Sequence, residues 1–326
     1  NKNSKANLLG SLGDYYHNLS EYENFINYKL QAIEYLLQLN KNTPLERYNI
    51  GASYLQIADA YSKMKQYEKT IEYCNYAEPY LNQPDGIAFL YNVFIEAYTN
   101  SEKIDSALKT YAKLNQLTKK NPMLEVYLSF ANKSMADFYL ENKQLQLADD
   151  YANKALLLAE KSQHEEVEME ANLVKGKILF QQKKYPQSIE KLNKALGFAF
   201  TNNKASYAEI NKALSENYAA LNQWKKAYKH NKIFSQTNDS LSVETSKKNI
   251  ANAEAKYQNR SKQQEIKSLS AENTIQELSI KSAKKQRIYL ISGLIAIAII
   301  GGLLYNQSRN RKKINHKLSF LNNQLD

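Results

Sequence analysis

The chain of 326 residues reads as an all-α protein: a helical-repeat solenoid of about six helix pairs, then a long helix, one transmembrane helix and a short coiled-coil start. Three observations lead there. A Leu-Gly-x-x-Tyr pattern, a short turn, a second aromatic and a helix with a small residue stand at Leu12 and return five more times before residue 240. No alternating apolar run bounded by Asn-Gly or Asp-Gly turns marks a strand, and Asp85-Gly86 opens a helix instead. An apolar run without a single charge, Ile288 to Tyr305, stands between two basic clusters.

The repeats come first. The clearest copies are Leu12-Gly13-Asp14-Tyr15-Tyr16 with Tyr22 and Ala32, and Ile57-Ala58-Asp59-Ala60-Tyr61 with Tyr67 and Ala77. Further copies pair Tyr98 with Ala107, Tyr139 with Ala148 and Ala155, Gly176 with Tyr185 and Ala195, and Tyr218 with Trp224 and Ala227. A large-small pair such as Leu12-Gly13 or Lys175-Gly176 lets a second helix approach, and the aromatic one turn later fills the angle between the two. Neither helix can bury its apolar face alone, so stacked neighbours must build the core. Pro44, Pro84 and Pro122 fall between units, Pro186 sits in the first turn of a second helix, and Pro79 ends its helix early.

These residues resemble the tetratricopeptide repeat over roughly residues 3 to 237, within a solenoid domain placed at 1–239. The units depart from the family's pattern in two ways. Equivalent aromatics, Tyr16, Tyr61, Tyr98 and Tyr139, lie nearer forty residues apart than the usual thirty-four. Phe25, Thr70 and Ser188 stand where the second helix is expected to carry a small residue.

Charge divides the chain at the end of the repeats. Residues 240–326 hold 15 of the 44 Lys and Arg but only 6 of the 33 Asp and Glu, a net of +9 against +2 for residues 1–239. A near-neutral repeat domain lacks the basic stripe that nucleic acid requires, so no nucleic acid is expected as a partner. Residues 240–287 contain neither Pro nor Gly and read as one helical linker capped at Asn238 or Asp239. Ile266, Leu269, Ile280 and Ala283 share a seam there, interrupted by Asn273 and Gln276, which suits a weak dimer contact or a solvated connector.

Residues 288–305 cover roughly 27 Å at 1.5 Å per residue, enough to cross a hydrocarbon core with Tyr289 and Tyr305 at its two interfaces. The competing reading is a buried core helix. Four bases precede the span and five follow it, so charge does not set its orientation. Residues 306–326 form a juxtamembrane helix whose Ile314, Leu318, Leu321 and Leu325 are spaced four, three and four apart, as in a coiled-coil seam; an amphipathic tail on the membrane surface is the alternative.

Taken together, the repeats, the linker Ala255-Lys-Tyr-Gln-Asn-Arg260 with Glu265-Ile-Lys-Ser-Leu269, the span, Arg309-Asn-Arg-Lys-Lys313 and Leu318-Ser-Phe-Leu-Asn-Asn-Gln-Leu325 are similar to the sensor half of membrane-bound tetratricopeptide signalling proteins of Bacteroidetes. In that family the span leads to a histidine kinase or a LuxR-type output. The resemblance implies a single-pass inner-membrane protein, with repeats in the periplasm, a cytoplasmic C-terminus and an output module past Asp326. It also implies a homodimer through the linker and juxtamembrane helices. The other reading is a tail-anchored adaptor that recruits proteins to a membrane from the cytosol.

Catalytic chemistry is not expected of this chain. His17, His164, His230 and His316 are scattered over the sequence, Cys74 is the one cysteine, and neither a metal site nor a cofactor site can be built from sequence neighbours. Gly10 and Gly13 follow no strand and lack nucleotide-loop spacing. His316 lacks the acidic neighbour and the proline of a phosphoacceptor box.

A ligand groove is the candidate site. Aligning the units places Asp14, Asp59, Glu96, Asp137, Lys177 and Glu216 at one equivalent position of the first helix, which in the resembled family faces the groove. With five acidic residues of six, the groove suits a protein or peptide ligand bearing Lys or Arg; plain solvated helix faces are the bland alternative.

Overall fold

In a computed structural model, which describes residues 2–38 and 43–322, the chain forms twelve α-helices among the described residues. They pair in sequence: α1 (Lys2–Asn18) with α2 (Tyr22–Leu37), α3 (Pro44–Lys63) with α4 (Tyr67–Ala77), and α5 (Pro84–Asn100) with α6 (Ile104–Lys120). The second half repeats this with α7 (Glu125–Glu141) and α8 (Leu145–Ser162), α9 (Glu165–Gln181) and α10 (Tyr185–Asn202), and α11 (Lys204–Ala220) and α12 (Trp224–Asn322). Two compact units result, residues 1–257 and residues 258–326.

All six turns within the pairs have one geometry. Ser20, Lys65, Glu102, Lys143, Lys183 and Asn222 adopt φ of 56 to 61°, the left-handed conformation. The next residue's N–H then reaches back to a carbonyl of the first helix: Glu21 to Tyr16, Gln66 to Tyr61, Lys103 to Tyr98, Gln144 to Tyr139, Lys184 to Leu179 and Gln223 to Tyr218, all at 2.8–3.0 Å. This is the Schellman closure of a helix, usually built on glycine. No glycine is present at any of the six turns, so a turn signal based on Gly misses them.

Aromatic pairs fill the angle between the helices of a unit. Tyr16 stacks on Tyr28 at 5.4 Å, Tyr61 on Tyr73 at 5.2 Å, Tyr139 on Tyr151 at 5.5 Å and Tyr218 on His230 at 5.4 Å. Each partner lies twelve residues on, so the stack is set by one register. The close approaches fall where small residues stand. A Cβ on Gly176 would sit 2.7 Å from Leu192, and the Ser188 hydroxyl donates to the Gly176 carbonyl at 2.7 Å. Phe25, Thr70 and Ser188 are buried like Ala107 and Ala148 at the equivalent position, so the space there varies with the unit while the register holds.

Between units, each second helix packs on the next first helix, and first helices also touch one another, as in α3 with α5, α5 with α7 and α7 with α9. That closeness puts the first helices on the inner side of the curve. The core is a succession of clusters shared by neighbouring units, such as Phe25, Ile33, Ile50 and Ile57, then Leu90 and Phe94, then Leu114, Met135 and Ile178, then Leu192, Ile210 and Leu214. Pro44 opens α3 behind a Thr43–Glu46 capping box, and Pro84 and Pro186 also lie in first turns. Pro79 ends α4 at Ala77, and the 3-10 turn Glu78–Tyr80 lays Tyr80 and Leu81 over Gly51, where a Cβ would meet them at 2.8 and 3.0 Å.

One boundary differs from expectation. No cap forms at Asn238 or Asp239, because α12 starts at Trp224 and nothing in the following residues stops it. Both residues lie inside a helix, where their side chains cannot cap. The sixth second helix and the linker are therefore one element, and the solenoid unit extends to Tyr257. Within α12 lies the stretch among the described residues that is long and apolar enough to cross a membrane, and none of it is buried by the rest of the described chain. Ile314 and Leu318 are exposed on the same element; Leu325 lies outside the described residues, as does the Leu321 side chain.

Candidate functional site

Each of the six candidate groove residues stands six positions before the left-handed residue of its own turn: Asp14 before Ser20, Asp59 before Lys65, Glu96 before Glu102, Asp137 before Lys143, Lys177 before Lys183 and Glu216 before Asn222. They occupy one structural register on the inner helices. Three of them, Glu96, Asp137 and Lys177, line one cleft together with Tyr67, Lys133 and Glu209. Lys177 also borders a neighbouring cleft with Glu209 and Glu216. Asp14 and Asp59 line neither cleft.

Local electrostatics changes the meaning of the row. Asp14 is paired with Lys29 at 2.7 Å, and that lysine is buried because its stem packs over Gly13. Asp59 is paired with Lys63 at 2.8 Å, one helical turn on. Asp137 meets Lys133 at 3.1 Å, and Lys133 also reaches Glu170 of the next unit at 3.3 Å. Lys177 is paired with Glu209 at the next first helix. The row is thus an alternating ladder of charge in which lysines from neighbouring positions answer most of the carboxylates.

Burial tunes this ladder at two points. Glu96 is pushed above the ordinary carboxylate range by burial, against the pull of Lys133 and the Ser62 hydroxyl, which donates to it at 3.1 Å. Burial by itself would lower the Lys133 ammonium, but the carboxylates of Asp137 and Glu170 hold it above the ordinary lysine value. At the first unit His17 is held below its ordinary 6.5 by burial and by Lys63, with Asp59 and Asp14 opposing.

Repeat alignment by itself misses Lys29, Lys133, Glu170 and Glu209. The signals for two partners were local: Lys133 and Lys63 are four residues from Asp137 and Asp59 on the same helix. Glu170 and Glu209 both stand thirteen residues before a left-handed turn residue, a second register on the same face that a single-position alignment skips. Cys74 is buried between α3 and α5, and burial pushes its thiol well above the ordinary cysteine range, so it fills core space. Among the described residues no three His, Cys, Asp or Glu side chains gather as a metal-binding group.

No protein-family model matches the sequence, and no curated protein matches it. Solved structures do. BtubC from P. vanneervenii is similar over 68% of this chain and 92% of its own, at 15% identity and a TM-score of 0.56. The apo form of RapI matches over 73% and 99%, at 13% identity and 0.52. The Rap conjugation gene regulator of plasmid pLS20, in complex with the Phr* peptide, matches over 76% and 79%, at 16% identity and 0.53. These likenesses show the fold, a tetratricopeptide-type α-solenoid.

Proposed function

We propose that the chain is a membrane-anchored protein-interaction module whose groove takes an extended peptide or a protein segment carrying Lys or Arg. The observation that carries this reading is the register: six side chains at one position of successive inner helices, three of them lining a single cleft with Tyr67 and Phe138 beside them. Repetition at that spacing suits a ligand that runs along several units. Glu141 borders the same cleft and Glu216 the next, both exposed, and they add carboxylates for a basic side chain. The pLS20 regulator, whose structure is in complex with the Phr* peptide, lends support as a relative in fold.

The second part of the proposal is placement. The apolar stretch 288–305 anchors the chain in the inner membrane, with residues 1–287 outside the cytoplasm and the C-terminus within. In this reading the chain is the sensor part of a two-component type receptor, acting as a dimer through the linker and juxtamembrane helices. Its role is binding and transmission.

Two measurements test the proposal. Titration of the 326-residue chain with extended Lys- and Arg-containing peptides, against Glu-containing peptides of equal length, should show binding of the basic set alone, weakened when Glu141 and Glu216 are changed to Gln. Equal affinity for both sets would refute the groove assignment. Reporters fused at residue 240 and after Asp326 should read outside and inside the cytoplasm respectively. A cytoplasmic signal at both would sink the sensor reading in favour of the adaptor.

A further inference from the structure

α12 does more than complete the sixth pair. Between Leu241 and Ala255 it carries wholly or partly buried residues, Leu241, Glu244, Lys248, Ala251, Asn252 and Ala255, spaced three and four apart, so one face of the helix lies against the solenoid. The partners along that face come from opposite ends of the repeat array. Glu244 is 3.9 Å from Lys204 at the start of α11, whereas Lys256 is 3.5 Å from Glu23 at the start of α2. Lys256 lies 32 residues past Trp224, roughly 48 Å along a helix of 1.5 Å rise, so one element reaches from the sixth unit to the first.

The contact at the first unit is weakly built. On the α12 side Ala255 is buried and Ala251 and Asn252 are partly buried, and none of the three is a Tyr, Leu or Ile of the kind that joins units elsewhere. The Lys256–Glu23 pair is 47% and 24% exposed, which leaves it largely to solvent screening. Asn252 places its Oδ1 out of reach of water with no hydrogen-bond partner, an arrangement that opposes the contact. Segments with few apolar contacts and unsatisfied polar groups are the ones that open below the global unfolding limit.

We infer that residues 241–256 are a latch that closes the last repeat onto the first, and that its opening couples the curvature of the solenoid to the helix that continues toward the apolar stretch. A solenoid that changes pitch must separate Glu23 from Lys256, since α12 is rooted in the sixth unit and Glu23 belongs to the first. This holds whether or not the groove takes a basic peptide.

The test uses the full chain in detergent micelles. A zero-length carbodiimide should join Lys256 to Glu23 by an amide within one chain, as it should join Lys103 to Glu68, which are 2.7 Å apart and 35 residues distant. Mixing isotope-labelled and unlabelled chains should give no hybrid Lys256–Glu23 product. Hydrogen exchange then tests the weakness of the contact. Asn252→Leu, which removes the orphaned acceptor, should slow exchange in residues 241–257 and in the first turn of α2 by about tenfold, while Ala255→Glu should speed both by a similar factor. Coupling of Lys103 to Glu68 without Lys256 to Glu23, hybrid products only, or α2 exchange indifferent to both variants would each overturn the latch. A failed peptide titration would leave these readouts unchanged and so bears on the groove alone.

Discussion

Replacing Lys133 with Ala should destabilise the solenoid by about 2 kcal/mol, a value set between two limits. A wholly buried ion pair that loses one partner costs about 3–5 kcal/mol, because the other charge stays behind in a poor solvent, whereas an exposed pair contributes about 0–1 kcal/mol. Lys133 is 31% exposed, Asp137 29% and Glu170 18%, so the site lies between these regimes. Three carboxylates depend on the one ammonium: Asp137 at 3.1 Å, Glu170 at 3.3 Å and Glu96 across the cleft, drawn from units three, four and five. The cost is repulsion and desolvation among ionised carboxylates. It should be full at pH 7 and should shrink in acid as Glu96, already raised by burial, takes up a proton. Urea unfolding followed by far-ultraviolet circular dichroism, at pH 7 and at pH 4, measures both quantities. A loss below about 0.5 kcal/mol, or a loss equal at the two pH values, would refute the view that Lys133 neutralises the middle of the ladder.

Other outcomes follow from the same structure. Gly176→Val should cost about 1–3 kcal/mol in chemical denaturation, since its Cβ would stand 2.7 and 2.8 Å from Leu192 Cγ and Cδ2 in a closed core. Lys143→Gly should raise stability by about 0.5 kcal/mol, as relief of the left-handed conformation at φ 59° exceeds the entropy that glycine loses on folding; a fall in melting temperature would contradict this. His17 and His230 are both held below their ordinary 6.5, chiefly by burial, with Lys63 acting on the first and Lys229 on the second. A group with a lowered cationic pKa favours the folded state fully above its unfolded value and loses that contribution as pH falls below it. Melting temperature should therefore drop between pH 7 and 5.5 in the native chain, and less in a His17→Gln, His230→Gln double variant.

The sequence carried the architecture because repeat folds are written locally. Small residues at Gly13, Ala58 and Gly176, prolines at helix starts and aromatics one turn before each reversal recur with the unit, and each one reports on contacts inside its own pair or with the next. The apolar stretch 288–305 was equally legible, since length and lack of charge need no partner to be read. The row of six candidate residues was also placed in a common register by alignment, as the identical offset from the six turns shows.

Tertiary structure decided which of those residues carry an ion-pair partner from elsewhere in the chain. Lys29, Lys133 and Glu209 answer Asp14, Asp137 and Lys177 across turns and units, and the distance between charges on different helices depends on superhelical packing, which no window of sequence contains. The same holds for α12. Its lack of Pro and Gly announces a long helix, but only the curvature accumulated over six units brings Lys256 to Glu23, 233 residues earlier in the chain. Local chemistry sets each helix pair, whereas the small rotation between pairs sums along the array and determines which distant surfaces touch.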